Sequence, residues 1–374
     1  MTPTFTIGLP QMHHEAGERR AFLPSFVARM ERLGAQVTLE TGYGAGMGYR
    51  EGDYRRAAGN VRFVSLEEVY QQDYVMVVRY PSQAEIDLMP PGGCLVSMVH
   101  YPTRPERVAD LRQRGLEAIS LDSIKDDVGR RLIENLRSVA WNGVEVAFQA
   151  LAEIFPAPGF ASPQRPPIRV TLLGAGAVGS HVLGAAIRYG DESVRRRMVE
   201  LGAPGVQVTA VDYDLTGHHG PMRELLAHTD ILVDATQRPD PSRVVIPNDW
   251  LAFMPDHAVL VDLSVDPYDC AADPPKVKGI EGIPQGSLDQ YVFFPDDRAW
   301  EDAPPCLSTK HRRTAVSCYS WPGLHPKRCM EVYGRQLQPI MRTLIARDGL
   351  AGIDPNGRFF ERAIARAQLS RWQV

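Results

Sequence analysis

Short apolar runs along the chain alternate with segments whose apolar positions recur at helical spacing. Runs of four to eight residues, bounded by glycine, proline or charged residues, are typical of parallel strands that are buried on both faces. Such runs occur at residues 73–79, 93–100, 170–173, 231–234 and 258–263, and strands with polar positions among the apolar ones are predicted at 5–9, 36–40 and 206–212. Because they alternate with helical segments, the pattern predicts an α/β protein with parallel sheets.

The helical segments divide the chain into two halves. Helical periodicity covers residues 21–33, 106–115, 124–155 and 180–189, and the pattern turns helical again beyond about residue 304. The segment 124–155 is long enough to bridge two domains, and the proline-rich residues 156–167 after it are typical of a linker. The sequence therefore predicts two α/β domains, the second of which begins near this linker.

A glycine-rich loop joins a predicted strand to a predicted helix in the second half. Gly174, Gly176 and Gly179 form the pattern Gly-x-Gly-x-x-Gly, and Ala177 and Val178 lie between the last two glycines. In this context the first glycine makes a tight turn, the second lets a pyrophosphate approach the backbone, and the third allows close helix packing. The N–H groups of the helix N-terminus attract the anion. These five residues are predicted to bind a dinucleotide; a glycine-rich turn without ligand is the alternative.

Asp212 ends the following predicted strand, where the adenosine ribose of a dinucleotide would lie. A carboxylate at this position accepts hydrogen bonds from both ribose hydroxyls and repels a 2′-phosphate, so NAD is favoured over NADP. The charged segment 191–205 makes the separation from the glycine loop longer than usual. An aspartate that only caps the following turn is the alternative.

Composition and charge exclude several classes of protein. The chain has 374 residues, of which 44% are hydrophobic and 23% charged, and its net charge is −4. These values are typical of a globular two-domain enzyme and predict no basic surface for nucleic acid. No apolar run approaches the ~18 residues that span a bilayer, and the first residues lack the pattern of a secretory signal. We therefore expect a cytoplasmic protein without a membrane partner.

The cysteines and histidines indicate neither a disulfide nor a metal site. The five cysteines form no Cys-x-x-Cys pair and are odd in number, which favours reduced thiols without a structural disulfide. Adjacent histidines occur at residues 13–14 and 218–219, but neighbouring side chains diverge and a metal needs further ligands. We predict no bound metal.

Several segments resemble one family and occur in its order. They are GERRAFLP at residues 17–24, ETGYGAG at 40–46, VVRYP at 77–81, MVH at 98–100, GAGAVG at 174–179, VDLSVD at 261–266 and WPGLHP at 321–326. Over nearly its whole length the chain resembles the alanine dehydrogenase and pyridine nucleotide transhydrogenase family. Residues 127–131 and 261–266 are also similar to lysine-forming saccharopine dehydrogenases, and residues 17–20 to carboxyethylornithine synthase.

The resemblance implies a specific domain organisation. It implies two Rossmann-like domains with parallel sheets, and an active site in the cleft between them. The substrate domain would combine residues 1–135 with residues 305–374. The NAD-binding domain would consist of residues 136–304.

The resemblance also implies several cationic contacts to substrate. Arg19, in a segment similar to the family's Glu-x-Arg-x-x-Leu-x-Pro pattern, is expected to hold a carboxylate with its guanidinium fork, and Arg20 is the adjacent alternative. Arg79 occupies a position where the family usually has lysine. Because arginine keeps its proton, Arg79 is expected to clamp a carboxylate or polarise a carbonyl in catalysis, not to act as a base. Arg130 and Arg131 are expected either to contact a second carboxylate or to form surface salt bridges.

Two further residues are expected to take part in catalysis. His100 ends a buried run at the position of the family's catalytic histidine, and histidine titrates near neutral pH, so it is predicted to be the general acid/base. Arg79 and His100 both end predicted strands and should face a common crevice. Asp266 matches the family's second aspartate, expected near the nicotinamide and the substrate nitrogen; a turn residue is the alternative. Asp262 is expected to make a structural hydrogen bond.

The implied chemistry is hydride transfer between a nicotinamide and a carbon that bears nitrogen. The chain is predicted to be an NAD(H)-dependent oxidoreductase that acts on an amino acid or an N-substituted amino acid. The reaction would be reductive amination of a 2-oxo acid or its reductive condensation with an amino acid. A non-catalytic or regulatory NAD-binding protein and a transhydrogenase subunit are the alternatives, because one fold hosts many functions. The sequence does not decide the substrates or the oligomeric state. A homo-oligomer is compatible with it.

Overall fold

The computed structural model describes residues 5–373, and the backbone divides into two compact units. Unit 1 extends to Asn135 and resumes at His325, whereas unit 2 is Leu136–Leu324. Each unit contains, among the described residues, one six-stranded sheet. The α/β class with mostly parallel sheets is therefore confirmed.

Unit 1 begins with a sheet whose six described strands are all parallel. The strands are β1 (Thr6–Leu9), β2 (Gln36–Glu40), β3 (Arg62–Val64), β4 (Tyr74–Arg79), β5 (Cys94–Met98) and β6 (Glu117–Ser120). The helices of this part are α1 (Pro24–Arg32), α2 (Glu51–Ala57), α3 (Leu66–Tyr70), α4 (Gln83–Ile86) and α5 (Pro105–Gln113). The order across the sheet is β3-β2-β1-β4-β5-β6. The chain therefore changes direction across the sheet between β1 and β4, which is where open parallel sheets bind ligands.

Unit 2 contains a second sheet with one antiparallel edge strand. Its elements are α6 (Leu136–Ile154), β7 (Ile168–Leu173), α7 (Gly179–Ala186), α8 (Glu192–Glu200), β8 (Val206–Val211), α9 (Tyr213–Thr216), α10 (His219–Leu226), β9 (Ile231–Asp234), β10 (Val259–Asp262), β11 (Val292–Phe293) and β12 (Thr314–Ser317). The order is β11-β12-β10-β9-β7-β8, and only β11 is antiparallel to its described neighbour. The change of direction lies between β7 and β9. The chain then returns to unit 1 with α11 (Pro326–Ala346) and α12 (Phe359–Ala367).

The central strands of both sheets are buried along almost their whole length. Every residue of β9 and of β10 is buried, and in β5 only Met98 is partly exposed. Helices cover both faces of a parallel sheet, so its strands lack the alternation of apolar and polar residues. This explains why continuous apolar runs located the central strands of each sheet.

The boundary at which the chain returns to unit 1 differs from the predicted one. Residues 305–324 were expected in the first domain and in helical structure, but they belong to unit 2. The reason is β12, whose residues pair in parallel with β10 from Val259 to Asp262. Its sequence, Thr-Ala-Val-Ser, contains only two apolar residues, so no apolar run marks the strand and the pairing with its neighbour identifies it.

The long helix predicted to start at residue 124 is shorter, because the chain before α6 turns back on itself. Lys125 forms an antiparallel bridge with Arg131, and the carboxylate of Asp126 accepts the backbone N–H of Arg130 at 2.8 Å. Aspartate side chains that bond to nearby backbone N–H groups compete with helix formation in this way. The prediction that Arg130 and Arg131 lie on an interdomain helix is therefore wrong.

The cysteine prediction is also wrong for one pair. Cys270 and Cys306 form a disulfide within unit 2, with a Cα–Cα distance of 6.8 Å and a sequence separation of 36 residues. The other cysteines of the described chain, Cys94, Cys318 and Cys329, are buried thiols. The disulfide joins the loop after β10 to the loop before β12, and no short cysteine motif indicates such a pairing.

Among the described residues, no helix is both long enough and apolar enough to cross a bilayer.

Candidate functional site

The carboxyl edge of the unit 1 sheet brings together titratable side chains from several strands. Glu15 follows β1, Arg79 ends β4, His100 follows β5 and Asp122 follows β6. Because these strands are parallel and neighbouring, all four residues lie at the same edge of the sheet. The expectation that Arg79 and His100 lie at a common edge agrees with the strand order.

His100 is positioned by a buried carboxylate. Its Nδ1 lies 3.4 Å from Asp122 Oδ2, and its backbone N–H donates to Asp122 Oδ1 at 3.2 Å. The imidazole is 45% exposed, whereas the Asp122 side chain is only 4% exposed. His100 also has a positive φ of 61°, an uncommon backbone conformation for a residue with a side chain. The ring is therefore accessible to a ligand, and the buried carboxylate of Asp122 fixes its orientation.

Asp122 is held in the ionised form. Burial by itself raises the pKa of this carboxyl, but hydrogen bonding and charge from His100 and the hydroxyl of Ser120 lower it to about 2. The carboxylate can then fix the tautomer of His100 and stabilise its charged form. Sequence analysis missed Asp122, although an aspartate two residues after a run such as Glu117–Ser120 is a usable signal.

Arg79 does not point freely into solvent. Its Nε donates to Glu15 Oε1 at 2.5 Å, and its Nη2 lies 2.5 Å from the same oxygen. The Arg79 side chain is 31% exposed, so the pair is reachable from solvent. The predicted clamp for a substrate carboxylate therefore already holds a carboxylate of the protein, and Glu15 was not predicted.

His14 lies between two carboxylates beside this pair. Its Nε2 is 3.6 Å from Glu15 Oε1, and its Nδ1 is 3.3 Å from Glu85 Oε2. Interactions with Glu15 and then with Glu85 raise the pKa of His14 to about 9, although partial burial opposes the shift. His14 is therefore a cation at neutral pH. Within residues 5–373 no group of three or more His, Cys, Asp or Glu is arranged to hold a metal ion.

The two adjacent arginines of the first motif have different environments. Arg20 is buried, and its Nε donates to Glu18 Oε1 at 2.9 Å while its Nη2 pairs with Glu18 Oε2. Counted from Glu18, the family's Glu-x-Arg spacing falls on Arg20, the predicted alternative to Arg19. Arg19 is exposed, and a Cβ added at Gly46 would lie 3.1 Å from the Cβ of Arg19. Gly46 thus leaves room for the Arg19 stem at the edge of the neighbouring glycine-rich loop.

Arg131 and its neighbours lie in the turn before α6. Arg131 is exposed, and Arg130 pairs with Asp126 through Nε at 2.7 Å while its side chain is 80% exposed. Asp127 pairs with two arginines of α12, Arg362 and Arg366. This turn is therefore attached to the C-terminal part of unit 1. The role of Arg131 in binding a second carboxylate stays a prediction.

The glycine loop of unit 2 has the steric properties that a dinucleotide requires. Gly174 has a positive φ of 83°, and a Cβ there would lie 3.0 Å from the carbonyl oxygen of Ala235. A Cβ at Gly179 would lie 2.0 Å from the carbonyl oxygen of Gly174, so only glycine fits. A Cβ at Gly176, by contrast, would meet no atom of the described structure within 4 Å. The first and third glycines therefore shape the loop, and the second leaves room beside the backbone.

The strand order places the other predicted cofactor residues beside this loop. Ala177 is exposed and Val178 partly exposed, immediately before α7. Asp212 follows β8, the strand paired with β7, and the N–H of Gly174 donates to the carbonyl of Val211 at 2.9 Å. The Asp212 carboxylate is exposed and accepts the N–H of Tyr213 at 2.8 Å. Asp212 therefore caps α9, which was the alternative considered, and still presents a carboxylate at the carboxyl edge.

Asp266 is held by a buried arginine that the sequence did not reveal. Arg238 Nη2 donates to Asp266 Oδ2 at 2.5 Å, and the side chains are 5% and 44% exposed respectively. The guanidinium of Arg238 also donates to the carbonyls of Arg243 and Val277, each at 2.7 Å. These contacts fix Arg238 and, through it, one oxygen of an otherwise accessible carboxylate.

Asp262 has the structural role expected of it. Burial raises the pKa of Asp262, but Lys278, whose Nζ donates to Oδ2 at 2.7 Å, lowers it below its usual range. Lys278 also donates to the backbone carbonyl of Asp266 at 2.8 Å, so it anchors the loop that carries that residue. Asp234, on the neighbouring strand, is completely buried, and burial together with the charge of Asp262 raises its pKa to about 6.

The two edges can perform different tasks. The unit 1 edge offers an accessible histidine beside a buried carboxylate, together with Arg79, which is paired with Glu15. The unit 2 edge offers a glycine loop with free space above it and a carboxylate beside it, which suits a dinucleotide.

Comparison with known proteins relates both units to one group. Residues 8–140 match the family model described as alanine dehydrogenase/PNT, N-terminal domain. Alanine dehydrogenase of Bacillus subtilis is 23% identical over 273 residues, which cover 70% of this chain and 70% of that protein. NAD(P) transhydrogenase subunit alpha of Haemophilus influenzae is 24% identical over 214 residues, which cover 54% of this chain and 41% of that subunit.

Two solved structures with similar folds are an alanine dehydrogenase and a transhydrogenase. An L-alanine dehydrogenase matches with a TM-score of 0.73 at 20% identity, covering 97% of this chain and 94% of that one. A transhydrogenase from Sinorhizobium meliloti matches with a TM-score of 0.62 at 17% identity, covering 91% and 94%. At these identities the likeness concerns the fold. The finer similarity to saccharopine dehydrogenase and carboxyethylornithine synthase stays a prediction. Residues 8–140 therefore match the model of the alanine dehydrogenase/PNT N-terminal domain, and the resemblance predicted from the motifs is confirmed.

Proposed function

We propose that this protein is an NAD(H)-dependent oxidoreductase that acts on the C–N bond of an amino acid or an N-substituted amino acid. The similarity to alanine dehydrogenases and transhydrogenases supports an NAD-dependent oxidoreductase. The glycine loop and the carboxylate of Asp212 support NAD(H) as the cofactor. The substrate and the direction of the reaction are the finer parts of the proposal.

One observation carries the enzymatic part: an accessible histidine, His100, is oriented by the buried carboxylate of Asp122. A protein that only binds a dinucleotide has no need of a positioned acid/base. In the proposed reaction the nicotinamide of the bound cofactor accepts or supplies the hydride. His100 takes a proton from the reacting nitrogen or oxygen in one direction and returns it in the other.

The remaining predicted residues bind and orient the substrate in this proposal. Arg19, which is exposed, and Arg20, which has the family spacing but is paired with Glu18, are the alternative ligands of the substrate carboxylate. Asp266, held by Arg238 through one oxygen and 44% exposed, attracts a substrate ammonium group. Separate Arg19→Gln and Arg20→Gln variants identify the carboxylate ligand, which is the one whose loss raises KM for the 2-oxo acid without changing NADH binding.

The proposal is tested by measuring NADH oxidation against a matrix of 2-oxo acids with ammonia, lysine, ornithine and other amines. We expect turnover with at least one pair, and loss of that turnover in His100→Ala. Turnover with ammonia identifies reductive amination, and turnover only with an amino acid identifies reductive condensation. NADH binding without turnover of any pair would reject the enzymatic proposal.

A non-catalytic or regulatory NAD-binding protein is the second candidate. The observation that favours it is Arg79, which replaces the family's lysine and is held by Glu15, so it cannot transfer a proton. This candidate requires tight NADH binding without substrate turnover. A transhydrogenase subunit is a third candidate. It would be revealed by hydride exchange between NADH and an oxidised NADP analogue in the absence of any amino acid.

A further inference from the structure

Four side chains at the carboxyl edge of unit 1 form a coupled group of charges, called here the His14 cluster. It consists of His14, Glu15, Arg79 and Glu85. Glu15 Oε1 faces two cations at once, since it lies 2.5 Å from Arg79 Nε and 3.6 Å from His14 Nε2. Glu85 Oε2 lies 3.3 Å from the other nitrogen of His14. The charge of His14 therefore affects how strongly Glu15 holds Arg79.

Within the cluster only His14 changes its charge near working pH. Arg79 keeps its proton at any working pH. Burial raises the pKa of Glu15, but His14 and Arg79 lower it below its usual range. Burial likewise raises the pKa of Glu85, but His14 and Ser82 lower it below its usual range. The Ser82 hydroxyl and N–H both donate to Glu85 Oε2 at 2.7 Å. Both glutamates are therefore anions throughout the neutral and alkaline range.

The charge balance of the cluster follows from these states. With His14 protonated, two cations face two carboxylates, and the cluster is neutral. With His14 deprotonated, one cation faces two carboxylates, and the net charge is −1. In the second state Glu15 has Arg79 as its one cationic partner in the cluster, and an approaching anion is repelled. Because the Arg79 and His14 side chains are 31% and 30% exposed, solvent and ligand reach the cluster.

We propose that His14 is a positioning residue that keeps Arg79 able to bind a carboxylate of the substrate, by sharing Glu15 with Arg79 and balancing Glu85. The inference rests on the proposed function and names the ligand of this part of the site: an anionic 2-oxo acid or an N-carboxyalkyl amino acid. Arg79 stands where the family usually has lysine and keeps a fixed charge. His14, beside it, is the group of the cluster whose charge changes with pH.

The pH dependence follows from the interactions of His14. Glu15 and Glu85 raise its pKa to about 9. Below this pH the cluster is neutral, and above it the cluster becomes negative. We expect KM for the anionic substrate to rise about fivefold to tenfold above about pH 9, with kcat little changed, because Arg79 is not the proton donor.

The experiment compares three variants with the wild type. His14→Gln makes the cluster negative throughout the neutral and alkaline range, so KM should be raised about fivefold to tenfold near pH 7 and should no longer rise near pH 9. His14→Lys restores a cation and should restore KM, with the rise moved toward the ordinary lysine pKa of about 10.4. His13→Gln is the matched control: this neighbouring histidine pairs with Glu40 and is 48% exposed, and its loss should leave KM unchanged. Equal effects of His14→Gln and His13→Gln would overturn the inference.

Two readouts are independent of turnover. The first is the imidazole titration of His14, observed by NMR on histidine-labelled protein and assigned with His14→Gln. It should give a pKa of about 9 in the wild type and a lower value in Glu85→Gln. A wild-type value near the ordinary 6.5 of histidine contradicts the cluster.

The second readout is binding of oxalate, a non-reducible dianion that resembles a 2-oxo acid, measured by calorimetry with NADH present. Its affinity should fall about fivefold to tenfold from about pH 7 to pH 10.5 in the wild type but not in His14→Gln. Absence of oxalate binding, or the same pH dependence in both proteins, overturns the inference. If both readouts behave as expected and no amine and oxo acid pair is turned over, the proposed function fails while the anion site stands.

Discussion

The carboxyl edges of the two sheets differ in the chemical groups that form the candidate sites. In unit 2 the glycine loop consists of backbone, and its shape depends on the absence of side chains at Gly174 and Gly179. In unit 1 the edge consists of titratable side chains that hold one another, such as His100 with Asp122. A backbone site is specified by a local motif, whereas a side-chain site depends on partners from distant parts of the chain.

The difference has a physical origin. A loop that cradles an anion needs N–H groups and close approach, which glycines within six residues provide. A site that transfers protons needs shifted or fixed ionisation states, and those require neighbouring charges and burial. Unit 2 nevertheless contains an ion pair between side chains, Arg238 with Asp266, and this makes the comparison testable within one unit.

The largest effect is expected from a single methyl group in the backbone site. Gly179→Ala places a Cβ 2.0 Å from the carbonyl oxygen of Gly174, so the loop must move and NADH affinity should fall more than about hundredfold. Gly176→Ala is the matched control, since its Cβ meets no described atom within 4 Å and the unfolding temperature should not change. Its NADH affinity should fall about tenfold, because the methyl occupies space meant for the pyrophosphate. Equal unfolding temperatures and affinities in the two variants would contradict the steric account.

The side-chain site should lose rate and not cofactor binding. His100→Ala is expected to lower kcat about hundredfold, because the proton donor and acceptor is lost. Asp122→Asn keeps the imidazole but removes the charge that orients it, so kcat should fall by a smaller factor, about tenfold. Fluorescence titration should show unchanged NADH affinity in both variants. A loss of NADH binding would mean that the unit 1 edge shapes the cofactor site as well.

Loss of the Arg238–Asp266 ion pair of unit 2 should lower activity, as expected for changes at the unit 1 edge. Arg238→Gln removes the cation that holds Asp266, and we expect kcat/KM to fall about tenfold, because the carboxylate loses the contact that fixes its orientation. Arg313→Gln is the matched control, because Arg313 is another little-exposed arginine of unit 2 that donates to the carbonyls of Met254 and Pro255. If both variants lose activity equally, Arg238 has a structural role only.

The smallest effect concerns the choice of cofactor. Asp212→Ala removes the carboxylate at the end of β8, and the preference for NAD(H) over NADP(H) in kcat/KM should narrow about threefold to tenfold. Asp214→Ala changes an exposed aspartate two residues later and should leave the preference unchanged. A wild type that prefers NADP(H) by about tenfold or more would reject the assignment of Asp212 to the ribose.

The sequence by itself determined the class of fold and the cofactor loop. The strand pattern located both ends of β2 and of β9, and in β9 the signal is the apolar run Ile231–Val233, as expected for a central strand of a covered parallel sheet. The glycine pattern located the loop after β7, because its spacing records the turn, the close approach and the helix start within a few residues. These features are local, and local features leave a readable pattern.

Only the tertiary structure decided which charges meet and which cysteines bond. Glu15 and Arg79 are 64 residues apart, and Arg238 and Asp266 are 28 residues apart, yet each pair is in contact. The disulfide and the return of the chain to unit 1 at His325 likewise depend on which strands are neighbours. Parallel strands bring their carboxyl ends to one edge whatever their separation in sequence. The partner of a charge is therefore set by strand order, and no spacing along the chain records it.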